Sequence, residues 1–370
     1  MKVRYSYLKQ QFSNCDDLWS SLKKFVSSGD FTLGKELEIF EKNFAKLIGT
    51  KFAVGVNSGT DAIKLSLKVL NVGYGDEVIT AANTFVATVG AITEIGAKPV
   101  FVDCDDTFCM NVDQLESKIT KKTKAIVPVH FTGYMTNMPK LKKISKKYNL
   151  PIVEDACQSI LANINKKNAG TWGDFGAFSL HPLKNINVWS DGGIITTNNK
   201  KHYYKLKLLR NHGLIDRDTV KINGYNSRLD TFQAVVGNWL LPKAKLIAKK
   251  RIKNAKYYDQ NFSKISKLII PFRPKNFKLV YHLYIIFAKD RDKLLKYCLA
   301  KGIEAKVHYP KPMYLQESIK YLGHKKGDFP ITDRHTKEII TFPCDQHLSQ
   351  EQMNYIIKSV KNFYKKKNKL

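Results

Sequence analysis

Between about residues 50 and 200, short apolar runs alternate with stretches of helical period, and this alternation limits the fold more than any other feature. KFAVGVN reads as a strand, and TDAIKLSLKVLNVG as a helix closed by Gly73. EVITA and KPVFVD read as strands on either side of TFVATVGAITEIG, whose apolar residues recur at helical spacing. KAIVPVHF, PIVEDAC, FGAFSLH and GGIITTN continue the series. Strand-helix-strand alternation of this kind predicts an α/β fold: a large, mainly parallel, doubly wound sheet. Sheets of that kind bind ligands beyond the carboxyl ends of their strands, so the residues just after each run carry the functional question.

Past Asn226 the pattern changes. RLDTFQAVVGNWLL opens a long helical stretch that continues through KKRIKNAKYYDQNF with a bend near Pro242. VYHLYIIFAK and IEAKVHYP then read as strands, and DKLLKYCLAKG and SQEQMNYIIKSVKNFYKKK as helices. The chain of 370 residues is long enough for two lobes. The expected division is a large α/β domain over 1–245 and a smaller α+β domain over 246–370, with the long helix as the bridge.

A formal net charge of +30 raises the question of nucleic acid. The lysines are spread along the whole chain, in pairs on helical stretches such as MPKLKKISKKYNL and in a short tail, KNFYKKKNKL. Arginine, favoured for base and phosphate recognition, is scarce, and no zinc-finger or aromatic RNA-binding motif is present. Solvated lysine faces account for the charge, with a general pull on anionic small molecules as its one functional reading, so no specific nucleic-acid partner is expected. The six cysteines form no C-x-x-C pair, which speaks against a structural zinc site and a disulfide framework. No apolar run of membrane-spanning length occurs, and MKVRYSYLKQQF lacks the apolar core of a secretory signal. The expectation is a cytoplasmic protein with no membrane span and no metal.

Three strand ends hold chemistry. Asn57-Ser58-Gly59-Thr60 joins a strand to a helix. A helix N-terminus offers free N–H groups to a phosphate, although Ser58 also fits a plain helix cap. In Val153-Glu154-Asp155-Ala156-Cys157-Gln158 two acids end a strand. Such an acid could meet a metal, a ribose hydroxyl or a protonated ring nitrogen, or simply cap the next segment. FSLHPLKNINVWSDGG places Ser179, His181 and Lys184 after one apolar run and a Ser190-Asp191-Gly192-Gly193 turn before the next. An ammonium between two buried strands is costly, whereas a neutral amine there can form a Schiff base. Pyridoxal phosphate asks for these three elements together: a phosphate cradle, an anion for its ring nitrogen and an amine for its aldehyde. Phe85, after a further strand, could stack on such a ring or be ordinary core.

With these residues in view, the chain resembles the DegT/DnrJ-type pyridoxal-phosphate-dependent sugar aminotransferases, which have the aspartate-aminotransferase (type I) fold. The likeness runs from FTLGKELEIFEKNFAKLIGTKFAVGVNSGTDAIKLSL through TFVATVGAI, GAKPVFVD, PVHFTG, VEDACQS and FSLHPLKNINVWSDGGIITT to RNHG, NSRLDTFQA, GIEAKVHYP and FPCDQHLSQEQ. It implies that Lys184 holds the cofactor as an internal aldimine and shuttles a proton, with the cofactor cycling through pyridoxamine phosphate. It implies that Asp155 pairs with the ring nitrogen, that Gln158 meets the ring hydroxyl, and that Phe85 stacks. Ser58, Gly59, Thr60 and Ser179 become phosphate ligands. Asn226 would reach the phosphate from a neighbouring subunit, making a homodimer with shared sites the working unit. His308, Tyr309 and Arg228 fall near the substrate. L-Glutamate is the implied amino donor, and a keto sugar linked to a nucleotide the acceptor.

A related branch that deoxygenates sugars carries His where Lys184 stands, so the lysine points to transamination. The S-D-G-G and N-S-R-L-D stretches resemble members that aminate carbon 3. Leu180 and Phe131-Thr132 depart from common family residues close to the pocket. The rival readings are a dehydratase using pyridoxamine phosphate and a non-catalytic regulator on the same fold.

Overall fold

The computed structural model describes residues 1–367, so the last three residues of the basic tail lie outside the described residues. Seven strands form the large sheet: β1 (Phe52–Val56), β2 (Glu77–Ala81), β3 (Lys98–Val102), β4 (Thr123–Val127), β5 (Val153–Asp155), β6 (Phe175–Ser179) and β7 (Gly193–Thr197). Their order is β3-β2-β4-β5-β6-β7-β1, with single bridges Ile126↔Ile152 and Val129↔Asp155 joining β4 to β5. All run parallel except β7, which is antiparallel to both β6 and β1.

The strands are apolar almost throughout because both faces are covered. Successive side chains point to opposite faces, and the buried clusters divide accordingly. Val54, Val78, Val127, Ala177 and Ile195 fall in one cluster, whereas Ala53, Ile79, Ile126, Phe178 and Ile194 fall in the other. Helices build the covering layers. Lys35–Ile48 buries a stripe of Leu37, Phe40, Phe44 and Ile48, and Gly49 ends it at φ 93°. It packs on Thr231–Leu240. Gly237 makes that approach possible, since a Cβ there would come within 2.6 Å of the Phe40 ring.

A second, antiparallel sheet has Tyr284–Ala288 between Leu268–Ile269 and Ile339–Phe342. The long helical stretch is broken by a 3-10 turn at Leu241–Lys243, which holds Pro242, before Ala244–Phe262 resumes. One apolar core runs from Phe40 and Phe44 to Tyr258, Phe262, Ile286 and Phe342 without interruption. IEAKVHYP differs from its strand-like reading. Ile303 bridges only to Val3 and Lys306 only to Thr341, and the Ala305 N–H turns back to the Ile303 carbonyl at 2.8 Å. That local turn stops a ladder from developing on either side.

The first dozen residues lie against this late part of the chain. The Val3 N–H donates to the Gly302 carbonyl at 2.8 Å, and the Tyr5 N–H to the Glu304 carboxylate at 2.8 Å. Gln346 donates to the Gln11 side chain at 3.1 Å. The next helix, Asp16–Ser28, crosses to pack on Thr231–Leu240.

Candidate active site

A cavity of about 300 Å³ opens at the carboxyl ends of β1, β2, β5 and β6. Its wall brings together Ser58, Gly59, Thr60, Phe85, Asp155 and Gln158 from the first half of the sequence. Ser179 and Lys184 also come from that half, and His308 and Tyr309 complete it from the second.

The Ser58–Thr60 turn is a helix N-terminus. The Ser58 hydroxyl caps it by accepting from the Asp61 N–H at 3.0 Å, so the plain-cap reading is also satisfied. Close packing holds the turn in place. A Cβ on Gly59 would lie 2.8 Å from the Ser179 Cβ and 2.9 Å from the Cys157 Sγ, and one on Gly193 would lie 2.1 Å from the Ser58 carbonyl oxygen. Gly59 lines the cavity beside the hydroxyl residues Ser58, Thr60 and Ser179. That donor set suits a phosphate.

The two acids that end β5 separate by strand alternation. Glu154 is fully buried. Its carboxylate accepts from the N–H groups of Gly170 (2.9 Å), Trp172 (2.7 Å) and Gly173 (2.8 Å) and meets His130 Nε2 at 2.9 Å. It is a structural anchor. Asp155 lines the cavity, where the Thr88 hydroxyl donates to its Oδ2 at 2.7 Å and the Cys157 N–H to its Oδ1 at 3.2 Å. Thr88 is steadied in turn by the Thr84 hydroxyl at 2.7 Å. Among the described residues no group of three or more His, Cys, Asp or Glu could hold a metal ion.

Lys184 follows β6 in a tight turn closed by its own N–H donating to the His181 carbonyl at 2.8 Å. Burial pushes its amine below the ordinary lysine range, while the nearby Cys157 and Asp155 pull the other way. A lysine so placed holds its neutral, nucleophilic form more readily than one on the surface. Phe85 is 48% exposed, too open for core, and its ring lies 5.9 Å from that of Tyr309, centre to centre. The Gln158 Oε1 accepts from the Thr132 N–H at 2.8 Å. His308 Nδ1 lies 2.8 Å from the Thr341 hydroxyl, and burial, with Lys306 and Lys184 adding to it, lowers its pKa to about 4. Its imidazole is neutral at ordinary pH.

Two predicted residues lie elsewhere on the chain. Asn226 is exposed and bridges to Asn211, and Arg228 donates to the Asn211 side chain at 3.0 Å; neither is in this cavity's wall. The loop holding them is tied back to the cradle, because the Ser227 hydroxyl donates to the Asp61 carboxylate at 2.6 Å. The departures at Leu180 and Phe131-Thr132 are buried, and Phe131 packs 5.9 Å from the Tyr309 ring. Sequence reasoning did not single out Tyr5, Thr88, Cys157, His282 or Lys306, all in the wall. Thr88 had one usable signal, its i,i+4 spacing from Thr84 at the start of a helix that follows a strand. Tyr5, His282 and Lys306 come from distant segments and had none.

The donor set fits pyridoxal phosphate: a hydroxyl-lined helix N-terminus, an anchored carboxylate, an amine shifted toward neutrality and an aromatic face on one cavity. Comparison with known proteins agrees. The profile of the DegT/DnrJ/EryC1/StrS aminotransferase family matches residues 15–361. A pleiotropic regulatory protein of Geobacillus stearothermophilus is 35% identical over 369 residues, 99% of each chain. The UDP-N-acetyl-3-dehydro-alpha-D-glucosamine 3-aminotransferase of Acidithiobacillus ferrooxidans is 35% identical over 91% of each. Among solved structures, S. venezuelae DesV in complex with a ketimine intermediate superposes with a TM-score of 0.95 at 31% identity, covering 98% of both chains. Bacillus subtilis NtdA with bound cofactor PMP superposes at 0.92 and 28% identity, covering 98% of this chain and 85% of that one.

Proposed function

Because the chain belongs to the DegT/DnrJ/EryC1/StrS aminotransferase family, we propose that it moves the amino group of L-glutamate to carbon 3 of a nucleotide-linked 3-keto sugar. It is a pyridoxal-phosphate-dependent sugar aminotransferase. The observation that carries the reading is Lys184: a sheltered amine, shifted toward neutrality, facing an anchored Asp155 across one cavity. The carbon-3 assignment is supported by the S-D-G-G and N-S-R-L-D stretches and by the 3-dehydro sugar named for the Acidithiobacillus relative.

When bound, pyridoxal phosphate supplies an aldehyde for an amine and a ring that takes up negative charge from the donor's α-carbon. The chain's residues do the rest. Ser58, Gly59, Thr60 and Ser179 hold the phosphate with hydroxyls and a helix N-terminus. Asp155, pinned by Thr88 and the Cys157 N–H, would pair with the ring nitrogen. Phe85 covers one ring face, and Gln158 meets the ring hydroxyl. Lys184 binds the cofactor at rest. Freed by the donor's amine, it would take the donor's α-proton as general base and deliver it to the cofactor, and it would carry the reverse proton transfer when the sugar is aminated. Neutral His308, with Tyr309, shapes the far wall for the sugar without adding charge. Asn226 and Arg228 complete the site of a second subunit, a reading supported by the exposure of Asn226 and by the absence of both from their own chain's cavity. The product is an amino sugar.

The test is the absorption spectrum of the purified protein with pyridoxal phosphate. A covalent link to Lys184 absorbs near ~420 nm, and glutamate converts it to a ~330 nm band. A ~420 nm band that glutamate leaves unchanged removes glutamate as donor. Failure to form that band removes the role of Lys184 and favours a regulator on the same fold.

A further inference from the structure

A second, much smaller cavity adjoins the first. Lys184, Cys157, Gln158, Ser179 and His282 line both, and Asn185 lines only the smaller one. It leaves about 10 Å³ for a solvent centre, close to what a single water needs. Two buried polar atoms on its lining residues have no protein partner. Asn185 is 5% exposed, and its amide nitrogen reaches only the Val280 carbonyl at 3.4 Å, which leaves its Oδ1 unpaired. The Nδ1 of His282 is also buried and unpaired. Buried polar atoms are rarely left so, since each unmade hydrogen bond leaves the group's desolvation uncompensated. An apolar void would stay dry, but this one is lined by the polar residues Asn185, His282 and Lys184. His282 stays neutral there. Burial, followed by Lys184, Arg251, His308 and His181, holds it well below its ordinary range.

We propose that this cavity holds one ordered water bound by Asn185 Oδ1 and His282 Nδ1, and that through it these two residues position the amine of Lys184. The water donates one proton to the Asn185 oxygen and exchanges hydrogen bonds with the His282 nitrogen and the lysine amine. Asn185 and His282 are positioning residues: they fix where the amine sits and which of its protonation states is favoured. No bond is made or broken at the water. The assignment rests on the role proposed above for Lys184, but the water site itself does not.

The experiment has two parts. A high-resolution crystal structure of the wild-type protein is expected to show density within hydrogen-bond distance of both atoms, and that of Asn185→Leu to lack it. The ~420 nm band is then titrated with pH in wild type, Asn185→Leu and His282→Phe. Each variant is expected to move the midpoint by about one pH unit or more, a tenfold change in proton affinity. The donor half-reaction is expected to slow by about tenfold or more while the KM for glutamate changes little. Should Asn185→Leu fail to fold, His282→Phe carries the same test. Absence of density in the wild type overturns the water site, and unmoved midpoints in folded variants overturn the positioning role. If the wild type forms no ~420 nm band, the proposed function falls, and the density still decides the water.

Discussion

Lys184 was readable because its sequence surroundings are informative: an apolar run before it, a glycine turn after it, and few reasons for a bare ammonium to be there. Replacing it with alanine is expected to abolish turnover and the ~420 nm band together, and near-normal turnover in Lys184→Ala would remove the assignment. Asp155 could be suspected but not separated from Glu154, because both end the same strand. Three backbone N–H groups and His130 claim Glu154, and only the folded chain shows that. Thr88 was silent, since a threonine in the first turn of a helix has many ordinary uses. Its hydrogen bond to a charged carboxylate is worth about 1.5–3 kcal/mol. Thr88→Val is therefore expected to lower kcat by roughly tenfold to a hundredfold. Steady-state assays check this, and an unchanged kcat would mean Asp155 needs no anchor.

Among elements, the seven strands and the helices between them followed from period and length, because a strand covered on both faces has little choice of composition. The segment IEAKVHYP did not follow, because its alternation is that of a strand while its neighbours each offer a single pairing position. Contact between β7 and the cradle turn was equally hidden. Gly193 packs against the Ser58 carbonyl, so Gly193→Ala is expected to weaken cofactor binding and lower Tm by several degrees; a cofactor titration and a melting curve measure both. The helix Pro330–Glu338 buries His335 against Phe108 and Phe287, with neither ring nitrogen paired. Burial, with Arg334 adding to it against Asp106 and Asp103, lowers its pKa from 6.5 to about 4. Between those values the folded protein binds fewer protons than the unfolded one. Stability from this group is therefore full above pH 6.5 and is lost as pH falls toward 4. His308, also at about 4, adds in the same window. The His335→Leu variant should lose less Tm than wild type between pH 7 and 5, by a few degrees. Melting curves at the two pH values decide it, and equal losses would show that His335 does not titrate in this way.

For the whole molecule, charge and partnership are the open properties. A surplus of 62 basic over 32 acidic residues says little about fold, because a lysine on a solvated face costs almost nothing. Sharing of sites between subunits was suggested by the family resemblance, and the position of Asn226 outside its own cavity is compatible with it. It can be tested by mixing. Lys184→Ala and Asn226→Ala, each inactive alone, are expected to regain up to roughly a quarter of wild-type activity when refolded together, because a mixed dimer keeps one intact site. No recovery would place both residues in the same site. The docking of the N-terminal residues on the far end of the sequence could not be foreseen, since no local pattern links Tyr5 to Glu304. It sets an order of events at the ribosome. Tyr5, which belongs to the wall of the active cavity, lacks its Glu304 partner until residue 304 has been made. A nascent chain can thus complete its seven strands and still lack a finished pocket.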